Sequence, residues 1–336
     1  MAHNLEIVDG EASMMYVGEP PWHGLGTQLE KPATAEEAIR AAGMNWDVRK
    51  VPLVAAIDEA RIPVRGRFAI VRVDVRGNPR HPVLGLVGKG YEPLQNHEAF
   101  EFFDHIVGKG AAIYHTAGVL GEGERIWILA KLPGEIRVVG DDITNKYLLL
   151  STSHDGSGAV QVKFTPVRVV CQNTLIQALS RGRTVKVAHT RNIKERLHLA
   201  EEMLGIVTKG YDTTAESYRA MSHYKIDTPK LKAYLEAVFP LPANGKEQDA
   251  NQETRKRVVQ RRNLAEGCFE NGRGQCLKGV SGTLWAAYNA VTESADHLWG
   301  HRNDDRRLNS QWFGEGYQVK ARAYEVALKT LQQPAA

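Results

Sequence analysis

The sequence predicts an α+β protein, with an antiparallel sheet and a β-β-β-α core in the N-terminal half and a largely α-helical C-terminal half. Three observations lead there. Between residues 45 and 170, short runs rich in β-branched residues recur, several alternating apolar and polar side chains. These runs follow one another through tight polar turns and do not alternate one by one with helices, which favours antiparallel pairing over a doubly wound parallel sheet. From residue 190 onward the apolar period becomes that of a helix.

In chain order, residues 1–30 include EPPWHGLGTQL, rich in Gly and Pro and read as an ordered loop or short turn. TAEEAIRAAG (34–43) is a helix: Thr34 is a good N-cap, Glu37 completes a capping box, and Gly43 sits where a C-cap glycine belongs. NWDVRKVPLVAAI (45–57), GRFAIVRVDVRG (66–77) and HPVLGLVGKGYEPL (81–94) are strands, with RGNPRHP supplying turn residues before the third. QNHEAFEFFDHIVG (95–108) returns to a helical period, with Phe100, Phe103 and Val107 on one face and Gly108 as the stop. Four more strands follow: AAIYHTAGVL (111–120), RIWILAKLP (125–133), NKYLLLSTS (145–153) and AVQVKFTPVRVV (159–170). They are joined by GEGE, GDDIT and DGSG, the first and last with the glycine of hairpins. CQNTLIQALSRG (171–182) reads as a helix ending at Gly182. Beyond 190, helical periods cover RNIKERLHLAEEMLGIVTKGYDTTAESYRAM, TPKLKAYLEAVFP, 252–266, 281–299 and 315–333. The expected division is an α+β core over 1–189 and a helical domain over 190–336, with an exposed polar linker near 240–252.

The 336 residues are 43% hydrophobic and 24% charged, ordinary globular values with enough chain for a sizeable core. No apolar run is long enough to span a bilayer, and MAHNLEIVDGEASMM has neither a basic n-region nor an apolar h-region. A soluble, cytoplasmic protein is expected. Cys171, Cys268 and Cys276 are an odd number in a long chain, which argues against a disulfide framework. No CxxC and no histidine pair at finger spacing suggests zinc.

The stretch SHDGSGAVQVKFTPVRVVCQNTL (153–175) raises the question of a nucleophile and its base. Adjacent strand residues alternate faces, so Ser153 and His154 would point opposite ways, and DGSG is better explained as a turn. Cys171 closes an apolar strand and opens a helix, where a buried thiol acting as a small hydrophobe is the commoner outcome. Asn173 suits a local cap or turn. WHGLG (22–26) and GKGYEPLQN (88–96) lack the lysine and the strand-to-helix context of a phosphate loop. GEGER and GRGQC are isolated glycine pairs. The paired carboxylates Glu36–Glu37, Asp141–Asp142, Glu201–Glu202 and Asp304–Asp305 read as solvated charges, and His297 and His301 share a helix face without a third ligand. No cofactor is expected.

Charge distribution is more telling. Between Gly156 and Lys194 there is no Asp or Glu, whereas at the chain average of 39 in 336 about four or five would fall there. Lys163, Arg168, Arg181, Arg183, Lys186, Arg191 and Lys194 all do. TRKRVVQRR (254–262) places Arg255, Lys256, Arg257, Arg261 and Arg262 on a helical segment, and Arg49, Lys50, Arg65, Arg67, Arg72 and Arg76 decorate the first strands near Trp46 and Phe68. The clusters at 156–194 and 254–262 together point to a polyanionic partner, and the strand arginines add to them, with Trp46 and Phe68 read as core.

The stretches PWHGLGTQL (21–29), YEPLQNHEAFEFFD (91–104), SHDGSGAVQVKFTPVRVVCQNTL (153–175), GTLWAAYNAVTESADH (282–297) and WFGEGYQVKARAYEVAL (312–328) together resemble a family of uncharacterised phage- and plasmid-borne proteins. That resemblance implies a mobile-element gene acting on DNA. A second resemblance, to the Rad-fifty-two-type single-strand annealing proteins, lies in AIRAAGMNWDVRKVPL (38–53), RFAIVRVDVRG (67–77) and LGLVGKGYEPL (84–94). It implies a β-β-β-α core that assembles into a ring or filament. Basic strand residues would line a groove for single-stranded DNA, corresponding by position to Arg49, Lys50, Arg65, Arg67 and Arg72. The helix at 95–108 departs from that pattern in being acidic, and the basic helix end lies later, at Arg181 and Arg183. The expected function is a non-catalytic, oligomeric single-stranded DNA binder that promotes annealing in recombination, with RKRVVQRR as a second contact. The alternatives are an enzyme acting on nucleic acid or nucleotide, its site near His154, Asp155 and Cys171, and a structural or host-interaction protein without DNA affinity.

Overall fold

The computed structural model describes residues 5–18, 25–31, 33–74, 79–107, 113–168, 185–187, 189, 211–241, 248–300, 310–311 and 314–332. Contacts divide the chain into two compact units. One comprises Met1–Pro133, Tyr147–Phe164 and Arg183–Val207; the other comprises Gly134–Lys146, Thr165–Gly182 and Thr208–Ala336. Antiparallel sheets dominate the N-terminal half and helices the C-terminal half, as the sequence predicts.

The first unit begins with a small hairpin, β1 (Ile7–Val8) and β2 (Glu11–Ala12), followed by β3 (Met14–Val17) and β4 (Thr27–Leu29). These lie where the sequence reads as loop. The four residues MMYV are too short to show a period, and what makes them a strand is the slot beside β8 (Ile113–Leu120), in which Met14 and Met15 are buried. Helix α1 (Ala35–Ala41) starts at Thr34 with both hydrogen bonds of the capping box. Gly43 follows with φ +65°, a left-handed conformation that favours glycine. Then come β5 (Asp47–Ile57), β6 (Ala60–Val73) and β7 (Pro79–Gly88), a three-stranded antiparallel sheet in the order β5-β6-β7, and helix α2 (Asn96–Val107). This is the expected β-β-β-α sequence of elements.

The larger sheet is built on β9 (Arg125–Val139) and β10 (Asp142–Ser153), with β11 (Val160–Phe164), β12 (Val167–Arg168) and β13 (Val185–Val187). Its order is β13-β11-β10-β9-β8-β3-β4, with β12 paired to β10. Ile126–Ala130 of β9 and Tyr147–Ser153 of β10 are buried without alternation, because these central strands are covered on both faces. Gly118 pairs with Trp127, and a β-carbon on Gly118 would lie 2.4 Å from the indole, so glycine is what lets the ring lie across the neighbouring strand.

In the second unit, residues 211–223 are helical (α3), followed by α4 (Thr228–Val238), α5 (Gln248–Asn271), α6 (Leu284–Glu293) and α7 (Glu315–Gln332). Helix α5 starts at Gln248, so the later part of the polar stretch 240–252 is helix. Asp227 and Thr283 cap α4 and α6 through their side-chain oxygens. Every residue of α6 is buried, which marks it as the central helix of this unit. It runs into a single π-helical turn, Ser294–Leu298. Trp285 donates to Asp142 Oδ2 at 2.7 Å, and Tyr218 lies 4.6 Å from the Trp285 ring.

Candidate nucleic-acid interface

Strand pairing sorts the side chains of β5, β6 and β7 onto two faces. One carries Val48, Lys50, Phe68, Ile70, Arg72, Gly85 and Val87; the other carries Arg49, Val51, Arg67, Ala69, Val71 and Leu86. The first face is packed against the loop SHDGSG. A β-carbon on Gly85 would lie 2.3 Å from the Asp155 carbonyl oxygen, and one on Gly156 2.8 Å from Val87. The backbones therefore approach to a distance only glycine permits.

Two of the predicted cations are committed to this packed face. Lys50 donates to the carbonyls of Lys89 and Tyr91, both at 2.7 Å, and lies 4.8 Å over Phe68. Arg72 is ion-paired with the buried Glu6 and stacks 4.3 Å over Trp46. Trp46 is buried, in keeping with its reading as core, and its indole N–H donates to Gly43. Lys163 is buried in β11. Arg168 and Lys186 sit in β12 and β13, opposite Thr144 and Gln161. Arg181, Arg183 and Arg191 lie outside the described residues, as do Cys171 and Asn173.

The second face is open. Arg49 and Arg67 are exposed on it, with Leu86 and Val83 also exposed, and none of the described residues forms an ion pair with either arginine. Arg65 stands exposed in a bulge of β6: Pro52 pairs with Phe68 but Val54 pairs with Pro63, so β6 carries the extra residues, with Gly66 at φ +72°. In the second unit, α5 bears its own basic stripe. Gln252, Arg255, Lys256, Val259, Gln260 and Asn263 recur every three or four residues and line a shallow groove of about 610 Å³. Lys256 and Arg257 are exposed and have no ion pair among the described residues. Arg261 is held instead by Glu315, at 2.8 Å for one of its two contacts, and by Trp299, and Arg262 donates to the Phe239 carbonyl.

The stretch read as a triad candidate forms a buried polar network. His154 is fully buried, and its Nε2 is 3.1 Å from Asn96 Oδ1, while Asn96 Nδ2 donates to the carbonyls of Met44 and Trp46. Since Asn96 Oδ1 accepts, His154 carries its proton on Nε2. Its Nδ1 has no partner among the described residues. Burial, with His189 nearby, holds the imidazole neutral and pushes its pKa down to about 3. His189 is 3.3 Å from the Thr152 hydroxyl, 3.0 Å from the Glu92 carbonyl, and stacked on Tyr91 at 4.7 Å. Asp155 Oδ1 accepts from the Ser157 N–H at 2.8 Å. Although burial opposes it, the hydrogen bonds from Ser157 hold the Asp155 carboxyl below its usual range. The network closes the turn, and DGSG is that turn. Sequence reasoning misses Asn96, Tyr91 and His189, because nothing in local spacing links residues 58 and 97 positions apart.

An α+β protein with an open, arginine-bearing three-stranded sheet is thus the class that fold and surface define. The chain belongs to the family described as a domain of unknown function (DUF932), which it matches over residues 83–312, that is 230 of its 336 residues. No curated protein and no solved structure matches it significantly. Among the described residues, no helix is long and apolar enough to cross a membrane.

Proposed function

We propose that this protein is a non-catalytic, homo-oligomeric, single-stranded DNA-binding and annealing protein. It would be encoded on a phage or plasmid and act in homologous recombination in the cytoplasm. The observation that carries the reading is the open face of the β5–β6–β7 sheet. There Arg49, Arg67 and the neighbouring Arg65 stand in solvent with no carboxylate partner among the described residues, beside exposed apolar side chains. Unpaired arginines neutralise phosphates and release counterions, and apolar surface between them suits bases held extended and available for pairing. Base pairing supplies the free energy of annealing, so no cofactor is required. Lys256 and Arg257 on α5 are a second contact. The test is binding of a fluorescent oligonucleotide, single- against double-stranded, across a salt series. Tighter single-strand binding with a steep salt slope is expected, weakened at least about tenfold by Arg65→Glu with Arg67→Glu. Absence of binding at low salt overturns the reading.

A further inference from the structure

We infer that the free edge of β5 pairs with the same edge of a second copy of this chain, antiparallel about a two-fold axis at Val54. Among the described residues, β5 is the outermost strand of its sheet. At Val48 its edge is already filled, because the Gln95 side-chain amide donates to the Val48 carbonyl at 3.0 Å and accepts from the Val48 N–H at 2.9 Å, as a neighbouring strand would. From Val51 to Ile57, VPLVAAI, the edge carries no charge. Edge strands are normally protected by lysines, by bulges or by a covering element, and among the described residues Pro52 is the sole such device on β5 over this stretch. Beyond the bulge at Val64–Arg67 the ribbon has two strands, since β7 pairs with β6 only from Arg67 on. A two-stranded ribbon is marginal by itself, yet this one exposes Val54 at 47%, Ile57 at 60% and Ile62 at 51%.

The occupant follows from charge and parity. A segment without cations offers nothing to phosphate, which separates this edge from the arginine-bearing face. A two-fold axis normal to the sheet keeps like faces together, so opposed residues must be an even number of positions apart. With the axis at Val54, Ile57 faces Val51 and Leu53 faces Ala55, apolar on apolar. The acidic tip Asp58–Glu59 of one copy then arrives beside Lys50 and Arg49 of the other. Lys50 is already held by the Lys89 and Tyr91 carbonyls and by Glu92, so the ionic match rests on Glu59 with Arg49, whose side chains have no ion pair among the described residues. Moving the axis to Leu53 sets Ile57 against Arg49 and drives Asp58 onto Val48, where Gln95 already sits. Moving it to Ala55 sets Asp58 against Pro52 and Glu59 against Val51. Only the register at Val54 matches apolar with apolar and acid with base. Such a contact is isologous and closes on itself as a pair.

Sedimentation velocity of the full chain over a concentration series tests it, without nucleic acid, so its outcome is separate from that of the annealing reading. A reversible self-association is expected. Val54→Lys, which sets two like charges face to face on the axis, raises its dissociation constant at least about tenfold. Glu59→Arg weakens it, and adding Arg49→Glu restores it. Val54→Cys gives a disulfide-linked dimer under mild oxidation at a yield that the parent, with Cys276 already exposed, does not reach. A chain that stays monomeric throughout overturns the inference. So does an oligomer indifferent to Val54→Lys whose Val54→Cys variant cross-links no better than the parent.

Discussion

His154 shows how a single side chain ties the SHDGSG turn to the rest of its unit. Its imidazole is neutral and donates to Asn96, which in turn holds the carbonyls of Met44 and Trp46. His115 is half-buried, its pKa pushed down by that burial to about 4, and His189 is lowered by burial as well. The sign of the linkage is fixed by these directions. Above the ordinary value of 6.5, neither folded nor unfolded histidines hold the extra proton, and stability is full. As pH falls below 6.5, the unfolded chain takes up protons that the folded one refuses until about pH 3 for His154 and about pH 4 for His115. Each group removes up to about 1.4 kcal/mol per pH unit in that window. Thermal unfolding followed from pH 7.5 to 4.5 should therefore show a falling Tm, with a shallower slope in His154→Leu. That variant should also start about 1–3 kcal/mol less stable at neutral pH, because Asn96 Oδ1 loses its donor. An unchanged slope would mean that His154 does not titrate as its burial implies. Gly85→Ala, forced against the Asp155 carbonyl, should cost about 1–3 kcal/mol by thermal or denaturant unfolding.

At the scale of elements, the π-helical turn that follows α6 is tied to α7 by a buried ion pair. Lys320 and Asp296 are both buried, with Nζ and Oδ1 2.6 Å apart. Burial pushes the Lys320 ammonium down against the opposing pull of Asp296. Asp296 belongs to the π-helical turn, and Gln311 donates to its carbonyl at 2.7 Å, so the turn is pinned from two directions. Removing one member leaves an uncompensated buried charge: Lys320→Met should cost about 3–5 kcal/mol, while Lys320→Met with Asp296→Leu should recover most of that loss. Denaturant unfolding of the two variants measures the difference, and equal losses would show that the pair is not coupled. Trp285 and Asp142 join α6 to the hairpin at 134–146 within the same unit in a similar way. The signal in the sequence for these elements was strong where capping and period agreed, as at Thr34 and Glu37 or through 315–333. It was absent for β3 and β4, whose few residues acquire a strand conformation from their neighbours in the sheet.

For the molecule as a whole, the annealing reading makes a quantitative demand. Exposed cations lie on two units, Arg67 on the sheet and Lys256 with Arg257 on α5, and contacts without shared partners contribute additively. Arg67→Ala and Lys256→Ala with Arg257→Ala should each weaken single-strand affinity, and the combined variant should lose about the sum in free energy. The slope of log affinity against log salt should drop by roughly 0.7 for each phosphate contact removed. Complete loss from a single conservative change such as Asp155→Asn would point to a site with chemistry in it and against a distributed binder.

The sequence by itself determined the fold class, the order of strands β5 to β11 and of the described helices, the capping of α1, and the clustering of positive charge. All of these follow from local propensity and period, which neighbouring residues suffice to express. Tertiary structure alone decided which cations are free. Lys50 and Arg72 sit one pleat away from Arg49 and Val71, and the alternation of a strand turns them into the packed face against SHDGSG, where a carbonyl pair and Glu6 hold them. It also decided that His154 meets Asn96 and that β5 ends as an open edge, since burial and edge position belong to the packing of distant segments and leave no mark on residues next to one another in the chain.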